Sequence, residues 1–300
     1  MANLKEVRNR IASVSSTQQI TKAMKMVSAA KLKRATNAIV QLRPYATKLN
    51  ELLANLSASI EDNASPYLQE REPVRVLVVV VASNRGLAGA FNTNAIKTAN
   101  NLIAEKYSEQ LRAGNVSIVA IGRKAQEYYQ RRKYNVIGDN NEVYSNLDFT
   151  NVSVITEAIM QGFVNGDYDR VELVYNHFRN AAVQVLTSEQ LLPVPKAEAE
   201  PDTKLKGTTA SSQTDYILEP SQQEIVQQLI PKNIKIQLYR AVLDSHASEH
   251  GARMTAMDKA TDNAGELLRS LKLSYNQARQ AAITTELTEI VSGAAALSNG

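Results

Sequence analysis

The chain of 300 residues contains no cysteine and no tryptophan, only three histidines, and 5% aromatic residues. Without cysteine there is no disulfide framework, thiolate zinc site, iron–sulfur ligation or cysteine nucleophile. No run approaches the roughly 18 apolar residues of a membrane span, and the start MANLKEVRNR lacks the apolar core of a secretion signal. The sequence therefore predicts a soluble, non-secreted protein.

Positive charge is concentrated near the N-terminus. Residues 1–48 carry ten Lys and Arg side chains and one acid, Glu6, which gives this segment +9 in a chain whose net charge is +4. Such a block favours an acidic protein partner, a nucleic acid or an anionic surface. A solvated helix face is the plain alternative, because Lys and Arg are good helix formers.

Residues 1–62 contain no glycine and one proline, Pro44, at which we expect a kink. A sustained heptad register predicts a coiled-coil helix roughly 90 Å long. Its seam is Leu4, Val7, Ile11, Val14, Gln18, Thr21, Lys25, Ser28, Leu32, Ala35, Ile39, Leu42, Ala46, Leu49, Leu53, Leu56 and Ile60. Between Gln18 and Ser28 the seam is polar, which we expect either to loosen the pair or to bind a third surface.

Residues 73–195 have a different pattern of apolar residues, without the heptad repeat. VRVLVVVVAS is a run of β-branched residues, typical of a strand covered on both faces. Further strands are predicted at VSIVAIG, RVELVYNHF and AAVQVLTSEQLL, with helices at NTNAIKTANNLIAEKY, RKAQEYYQRR and VITEAIMQGFV. The alternation predicts a small Rossmann-like α/β domain with a largely parallel sheet. Residues 196–214 are polar and contain Pro and Gly, which predicts a flexible insertion.

Residues 215–300 return to a helical period. Pro231 is predicted to open a long helix at its first turn. The register of its tip is Ile283, Leu287, Ile290, Ala294 and Leu297, and it places Asn276 and Gln280 in the seam. Two long helices at opposite ends of a chain pair only if the chain doubles back. The predicted fold class is therefore α+α/β: a long antiparallel coiled coil of the N- and C-terminal helices with the α/β domain inserted between them.

Catalytic and metal-binding interpretations find little support in the sequence. SNRGLAGAFN (83–92) follows a strand, where phosphate-binding loops occur, but its glycines do not fit the dinucleotide or P-loop patterns. We interpret it as a tight strand-to-helix turn. His246 and His250 have the spacing of a two-imidazole metal site, but no third ligand converges in sequence. A polar helix face is the simpler interpretation, and we predict neither a metal nor a cofactor.

Two other features are also interpreted as structural. His177 stands alone after a strand, and Glu286 with Glu289 has a spacing common on helix surfaces. Nucleic-acid binding by a coiled coil remains the alternative function, given the basic segment. Against it, no aromatic residue interleaves the basic positions before Tyr45, and no zinc or helix-turn-helix pattern accompanies them.

Several motifs resemble the γ subunit of rotary F-type ATP synthases. They are RIASVSSTQQITKAMKMVSAAKLKRA (10–35), SNRGLAGAFN, VYNHF, ILEPS, ASEHGARMTAMDKATDNAGELL (247–268) and LSYNQARQAAITTELTEIVSGAAAL (273–297). The resemblance covers both long helices and the inserted domain but leaves out residues 196–214. The chloroplast form carries a redox-regulatory cysteine pair, which this chain lacks, and no transit peptide is evident. The resemblance is therefore to the bacterial type.

The resemblance implies a non-catalytic central shaft, present once per complex, within a ring of alternating α and β subunits. Its foot would contact the ε subunit and the membrane c-ring at the cytoplasmic face of the bacterial inner membrane, with no nucleic acid involved. The implied contacts with the β subunits are Lys22, Met24, Lys25, Arg253, Arg279, Gln280, Thr284, Glu286 and Glu289.

Overall fold

The computed structural model describes residues 4–57, 65–144, 146–181, 183–195 and 222–298. Helix α1 spans Leu4–Ser57 and helix α6 spans Gln222–Ser298, and a five-stranded sheet domain lies between them in the chain. The chain divides into two compact units, of which the first comprises Met1–Ala29 with Arg253–Gly300 and the second Ala30–Ala252. Among the described residues, no helix has the length and apolar character needed to cross a bilayer.

In the first unit, the ends of α1 and α6 pack side by side. Lys25 meets Asp258, Thr21 meets Thr261, and Arg8 meets Tyr275, so the numbers rise along one helix as they fall along the other. The pair is therefore antiparallel. The heptad register predicted for α1 is confirmed, because each of its positions from Leu4 to Leu53 is buried or half-buried.

In the second unit, the sheet has the strand order β3-β2-β1-β4-β5. The strands are β1 (Val76–Val81), β2 (Val116–Ile121), β3 (Asn135–Val136), β4 (Arg170–Phe178) and β5 (Gln184–Leu192). β1 pairs in parallel with β2 and β4, β2 pairs in parallel with β3, and only the edge strand β5 is antiparallel, to β4. These findings confirm the predicted fold class, with its largely parallel sheet.

Helices cover both faces of the sheet. They are α2 (Phe91–Lys106), α3 (Ser108–Arg112), α4 (Arg123–Arg131) and α5 (Phe149–Asn165), with a short 3-10 helix at Asn141–Tyr144. Alternate residues of β1 point to opposite faces: Leu77 joins a core with α5 and α6, whereas Val78 joins a core with α2 and α4. All six residues of β1 are fully buried, which is why its sequence is uniformly apolar.

The prediction that Pro231 opens the C-terminal helix is wrong. α6 begins at Gln222 and contains Pro231 in its interior. An interior proline costs about 3 kcal/mol because it removes a hydrogen bond and crowds the preceding turn. Ile230 and Ile234 flank it and are almost completely buried in the core against the sheet. Their burial offsets the cost of the proline.

Some sequence predictions fall outside the described residues. The polar insertion predicted at 196–214 lies there, as does the predicted end of the N-terminal segment at residue 62. At Pro44, α1 continues as helix, so this proline does not end the element.

Candidate partner-binding surfaces

Polar side chains in the seam of the first unit bond to each other across the helix pair. The ammonium group of Lys25 donates to the Asp258 carboxylate over 2.5 Å, and the Thr261 hydroxyl donates to that of Thr21 over 2.8 Å. We expected this polar interval to loosen the pair or to bind a third surface. The structure instead gives these groups partners within the chain.

A third polar contact lies farther toward the N-terminus of α1. The Arg8 guanidinium donates to the Tyr275 hydroxyl over 2.9 Å and lies 5.9 Å from the centre of the ring. The hydrogen bond from Arg8 lowers the pKa of Tyr275 below its ordinary value. The contact is exposed to solvent, so it aligns the two helices more than it stabilises them.

The seam predicted on α6 is wrong in its C-terminal part. Asn276 and Gln280 are exposed, whereas Leu271, Tyr275 and Ala278 are half-buried toward α1. The apolar repeat of the tip, from Ile283 onward, is shifted by one residue from the half-buried positions that face α1. When the tip repeat is extended toward the N-terminus of α6, it therefore falls on exposed residues, Asn276 and Gln280.

An apolar strip on α1 is exposed beside the polar part of the seam. Ile20 and Val27 are each 57% exposed, and Met24 between them is half-buried. We call Ile20, Met24 and Val27 the α1 strip, since their spacing of four and three places them on one face of the helix. Lys22 and Ala23, also exposed, lie within the same turns. The strip is a surface of the first unit where a partner could bury apolar area and meet positive charge.

The C-terminal end of α6, residues 280–297, has large apolar side chains facing solvent. Ile283 is 48% exposed, Leu287 56%, Ile290 67% and Val291 66%. Arg8 of α1 contacts Tyr275 of α6, and only four described residues of α1 precede Arg8. Because the helices are antiparallel, the N-terminal end of α1 lies beside α6 near Arg279. Within the described residues, the apolar face of this end is uncovered.

The sequence-predicted contact residues fall into two groups. Arg279, Gln280, Thr284, Glu286 and Glu289 are all exposed on the C-terminal part of α6. The Thr284 hydroxyl donates to the carbonyl of Gln280 over 2.9 Å, which fixes its rotamer but leaves its second lone pair available.

The remaining contact residues are closer to the helix pair. Lys22 is exposed and Met24 is half-buried, whereas Lys25 is held by Asp258. Arg253 is only 7% exposed in this chain. Its burial leaves little of the guanidinium accessible to another protein.

The second unit encloses a polar segment of α6 that includes His250, which we interpreted together with His246 as part of a polar helix face. That interpretation is wrong, because Asp244, Ser248 and His250 are buried. Asp244 accepts from Nδ1 of His177 over 2.6 Å, and Ser248 donates to the carbonyl of Asn176 over 3.1 Å. The pattern of apolar and polar residues in α6 could not reveal this burial, because Asp244 and Ser248 bond to strand β4, which is distant in sequence.

His246 and His250 lie together, as their spacing suggested. Their Nε2 atoms are 3.3 Å apart and their rings meet edge to face at 4.6 Å. Tyr144, from the short 3-10 helix, lies 5.7 Å from the His246 ring. Within the described ranges, no group of three or more His, Asp or Glu side chains is arranged to hold a metal ion.

The turn at 83–92 connects β1 to α2 and is closed by its own hydrogen bonds. The Ser83 amide donates to Oδ1 of Asn92 over 2.9 Å, and the Ser83 hydroxyl donates to the carbonyl of Arg85 over 2.6 Å. Leu87 and Gly89 adopt positive φ angles of 64° and 58°. These bonds make the turn a well-defined connection and place Leu87, 66% exposed, at its surface.

Solved structures with the same fold come from rotary ATP synthases. One, from the Euglena gracilis mitochondrial enzyme (OSCP/F1/c-ring), matches with a TM-score of 0.67 and 19% identity over 98% of this chain and 94% of that chain. Another, the central stalk and c-ring of the Tetrahymena thermophila mitochondrial enzyme, matches with a TM-score of 0.54 and 25% identity over 80% and 99%. The fold is that of the central-stalk subunits in these assemblies.

Sequence comparison narrows this class to one family. The family model described as ATP synthase matches residues 3–297. The ATP synthase gamma chain of Cytophaga hutchinsonii is 54% identical over the full length of both chains, and that of Flavobacterium johnsoniae is 53% identical over 99% of each. The chain belongs to the ATP synthase gamma chain family.

Proposed function

We propose that this chain is the central rotor shaft of an F-type ATP synthase. It has no catalytic site of its own and couples proton flow through the membrane sector to conformational change at the catalytic β subunits. The observation that carries the proposal is the C-terminal end of α6, where apolar side chains from Ile283 to Val291 are 48–67% exposed. A single helix of this length is marginal in water, so an apolar face on it requires a cover from another protein.

The ring of α and β subunits supplies that cover. The inner rim of the ring surrounds the end of α6 as a bearing, and the polar residues just before it contact a loop of one β subunit at a time. Gln280 and Thr284 make these contacts, with Arg279, Glu286 and Glu289 nearby. All five are exposed in this chain, which suits the role.

The α1 strip provides a second contact with the β subunits. Ile20, Met24 and Val27 offer apolar area, and Lys22 offers charge to an acidic loop of the catalytic subunits. Lys25 and Arg253 act there less directly, because Lys25 is bonded to Asp258 and Arg253 is buried. Their role is to hold the helix pair in the shape that the β subunits recognise.

The mechanism is a shift of conformational populations. A shaft whose contacts differ around its circumference binds open and closed β subunits unequally, and each orientation therefore favours a different arrangement of the three sites. The shaft can shift these populations only by the difference between its affinities for the two states. Rotation then carries each β subunit through the series in turn.

The α/β domain is the foot of the shaft. In this proposal helices α1 and α6 form the coiled coil, and residues 73–195 bind the ε subunit and the membrane c-ring. One copy is present per complex, peripherally at the cytoplasmic face of the bacterial inner membrane. The nucleic-acid-binding alternative gains no support from the relatives, which are ATP synthase gamma chains.

Purification from native membranes tests this proposal. A tag on this chain should recover the α, β and ε subunits and the c-ring in one complex with ATPase activity. The purified chain should show no salt-dependent binding to duplex or single-stranded DNA above that of the ATPase complex. Recovery of nucleic acid without ATPase subunits would favour the alternative.

A further inference from the structure

Three basic side chains follow one another at the C-terminal end of α4. They are Arg131, Arg132 and Lys133, which we call the basic corner. All three are exposed, and none lies within 4.0 Å of a carboxylate in the part of the chain that the structure describes. The nearest acid along the helix, Glu127, is paired with Lys124 over 2.9 Å. A helix end attracts only about half a unit of positive charge, so three cations exceed what α4 itself needs.

The backbone of Lys133 is strained. Its φ angle is 59°, in the left-handed region. Its amide donates to the carbonyl of Gln130 over 3.0 Å, and the amide of Tyr134 donates to that of Tyr129 over 3.1 Å, which closes the helix in a Schellman motif. Glycine is favoured at this position, because a Cβ atom is strained there. A lysine that costs stability where glycine would fit points to a use for its side chain outside the fold.

Arg132 is held in place by its neighbours. Its guanidinium carbon lies over the ring of Tyr128, 3.9 Å from the ring centre. The ring is fixed in turn, because the side-chain amide of Asn100 on α2 donates to the Tyr128 hydroxyl over 2.8 Å. A guanidinium that lies over an aromatic ring keeps the N–H groups at its edge available to a carboxylate, whose two oxygens match them. Arg132 is thus pre-organised for a planar anion.

The surroundings favour a compact acidic site over an extended polyanion. β2 and β3 are parallel, with Ser117 opposite Asn135, so the α3–β2 and α4–β3 connections lie at the same edge of the sheet. Glu109, exposed on α3, adds negative charge at this edge. An anionic bilayer is usually bound by roughly four to eight cations, and DNA by a similar number of phosphate contacts. Three cations with an acid at the same edge fit a few carboxylates on a protein better.

We propose that the basic corner binds a surface rich in Asp and Glu on another subunit of the complex. The proposal rests on the proposed rotor function, and it names the chemistry of one contact made by the foot. Arg132 forms a bidentate pair with one carboxylate of the partner. Arg131 and Lys133 attract the carboxylates around it and set the orientation of docking.

Cross-linking of the native complex with a carbodiimide tests the proposal. This reagent joins a lysine amine to a carboxylate only when the two are in contact, and mass spectrometry identifies both residues. We expect Lys133 to be joined to an Asp or Glu of another ATP synthase subunit, whereas Lys97, equally exposed on α2, is not. Protection of Lys133 from acetylation without such a cross-link would indicate a phosphate-bearing partner and overturn the proposal. So would equal reactivity of Lys133 in the complex and in the free chain.

Matched variants test the two positions separately. Arg132→Gln should lower the yield of the Lys133 cross-link about fivefold, whereas Lys97→Gln should leave it unchanged. In the full chain alone, Lys133→Gly should raise Tm by about 2 °C, because it relieves the strained φ angle, and Lys133→Ala should not. A fall in Tm for Lys133→Gly would show that the side chain serves the fold itself. If the complex assembles and Lys133 stays uncoupled, this inference fails and the rotor function stands.

Recovery of the chain without ATPase subunits would instead count against the rotor function, and with it against the subunit contact proposed here.

Discussion

At the scale of single residues, the polar residues in the seam of α1 help to align α1 with α6, which the residue types alone did not indicate. Thr21 is 8% exposed, Ser28 is 2% exposed, and each also bonds to a carbonyl of its own helix. Polar groups in a helical seam usually cost stability and fix register, because only one alignment satisfies them. The contacts of Lys25 and Thr21 with α6 fit that role.

The Thr21–Thr261 contact predicts a characteristic pattern of stability changes. Replacing Thr261 with Val leaves the Thr21 hydroxyl without its cross-helix partner, and we expect a loss of about 1 kcal/mol in the free energy of unfolding. The double variant Thr21→Val/Thr261→Val should recover much of that loss, because two methyl groups then pack where two hydroxyls met. Denaturant unfolding measures all four proteins of the cycle. Additive losses would show that the hydroxyls do not interact.

Two glycines of α6 predict opposite effects of the same substitution. A Cβ atom on Gly251 would lie 2.9 Å from the carbonyl oxygen of Ala181, whereas a Cβ on Gly293 meets nothing within 4 Å. Gly251→Ala should therefore destabilise the chain by about 1–3 kcal/mol, because backbone must move. Gly293→Ala should stabilise the helix by up to about 1 kcal/mol, since alanine is the better helix former. Thermal unfolding compares them, and equal effects would contradict the close approach.

At the scale of elements, the sequence predicted a helix or strand correctly where one hydrophobic repeat continues along the whole element. The β-branched run at Val76–Val81 and the heptads of α1 were both recognisable, because each repeats one burial pattern over its length. α5 extends from Phe149 to Asn165, beyond the predicted VITEAIMQGFV. Its boundaries are set by Asp148, which caps the first turn, and by Gly166 at φ 81°, and both are signals that local sequence reasoning can use.

Other elements could not be anticipated from periodicity. β3 has two residues and depends on pairing with β2, and the interior Pro231 is tolerated because of tertiary burial. The enclosed polar segment around Asp244 depends on β4, which is far away in sequence. In each case the deciding interaction is with residues that are distant in sequence, so the neighbouring residues alone could not predict it.

The α1 strip carries a prediction at the scale of this helix. Replacing both Ile20 and Val27 with Gln should leave the stability of the isolated chain unchanged within about 0.5 kcal/mol, because both side chains are 57% exposed. In the assembled complex, the variant should pump fewer protons per ATP hydrolysed. Val40→Gln, equally exposed at 57% and outside the strip, is the matched control. Unchanged coupling in the strip variant would show that the strip is not a partner contact.

At the scale of the whole molecule, the proposed contacts with the catalytic subunits lie mainly on side chains that the chain does not use for its own packing. The five exposed candidates near the C-terminus of α6 make few contacts within the chain, in contrast to Lys25 and Arg253. The resemblance to a family indicated these residues, whereas the physical pattern alone distinguished only an apolar tip. Exposure in the structure now separates residues available to a partner from residues that shape the shaft.

The C-terminal end of α6 should separate bearing from coupling. Truncation after Gly293 removes the last apolar positions, so we expect a modest loss of complex stability with turnover largely intact. Gln280→Ala/Thr284→Ala should reduce turnover while assembly survives, because both side chains are exposed and packing in this chain does not depend on them.

Thr288→Ala is the control, since its hydroxyl likewise bonds to a carbonyl one turn earlier, that of Thr284. Assembly yield and steady-state ATP hydrolysis are measured for all three variants. If truncation abolishes turnover and the double substitution has no effect, the tip is the coupling element and the assignment of Gln280 and Thr284 is wrong.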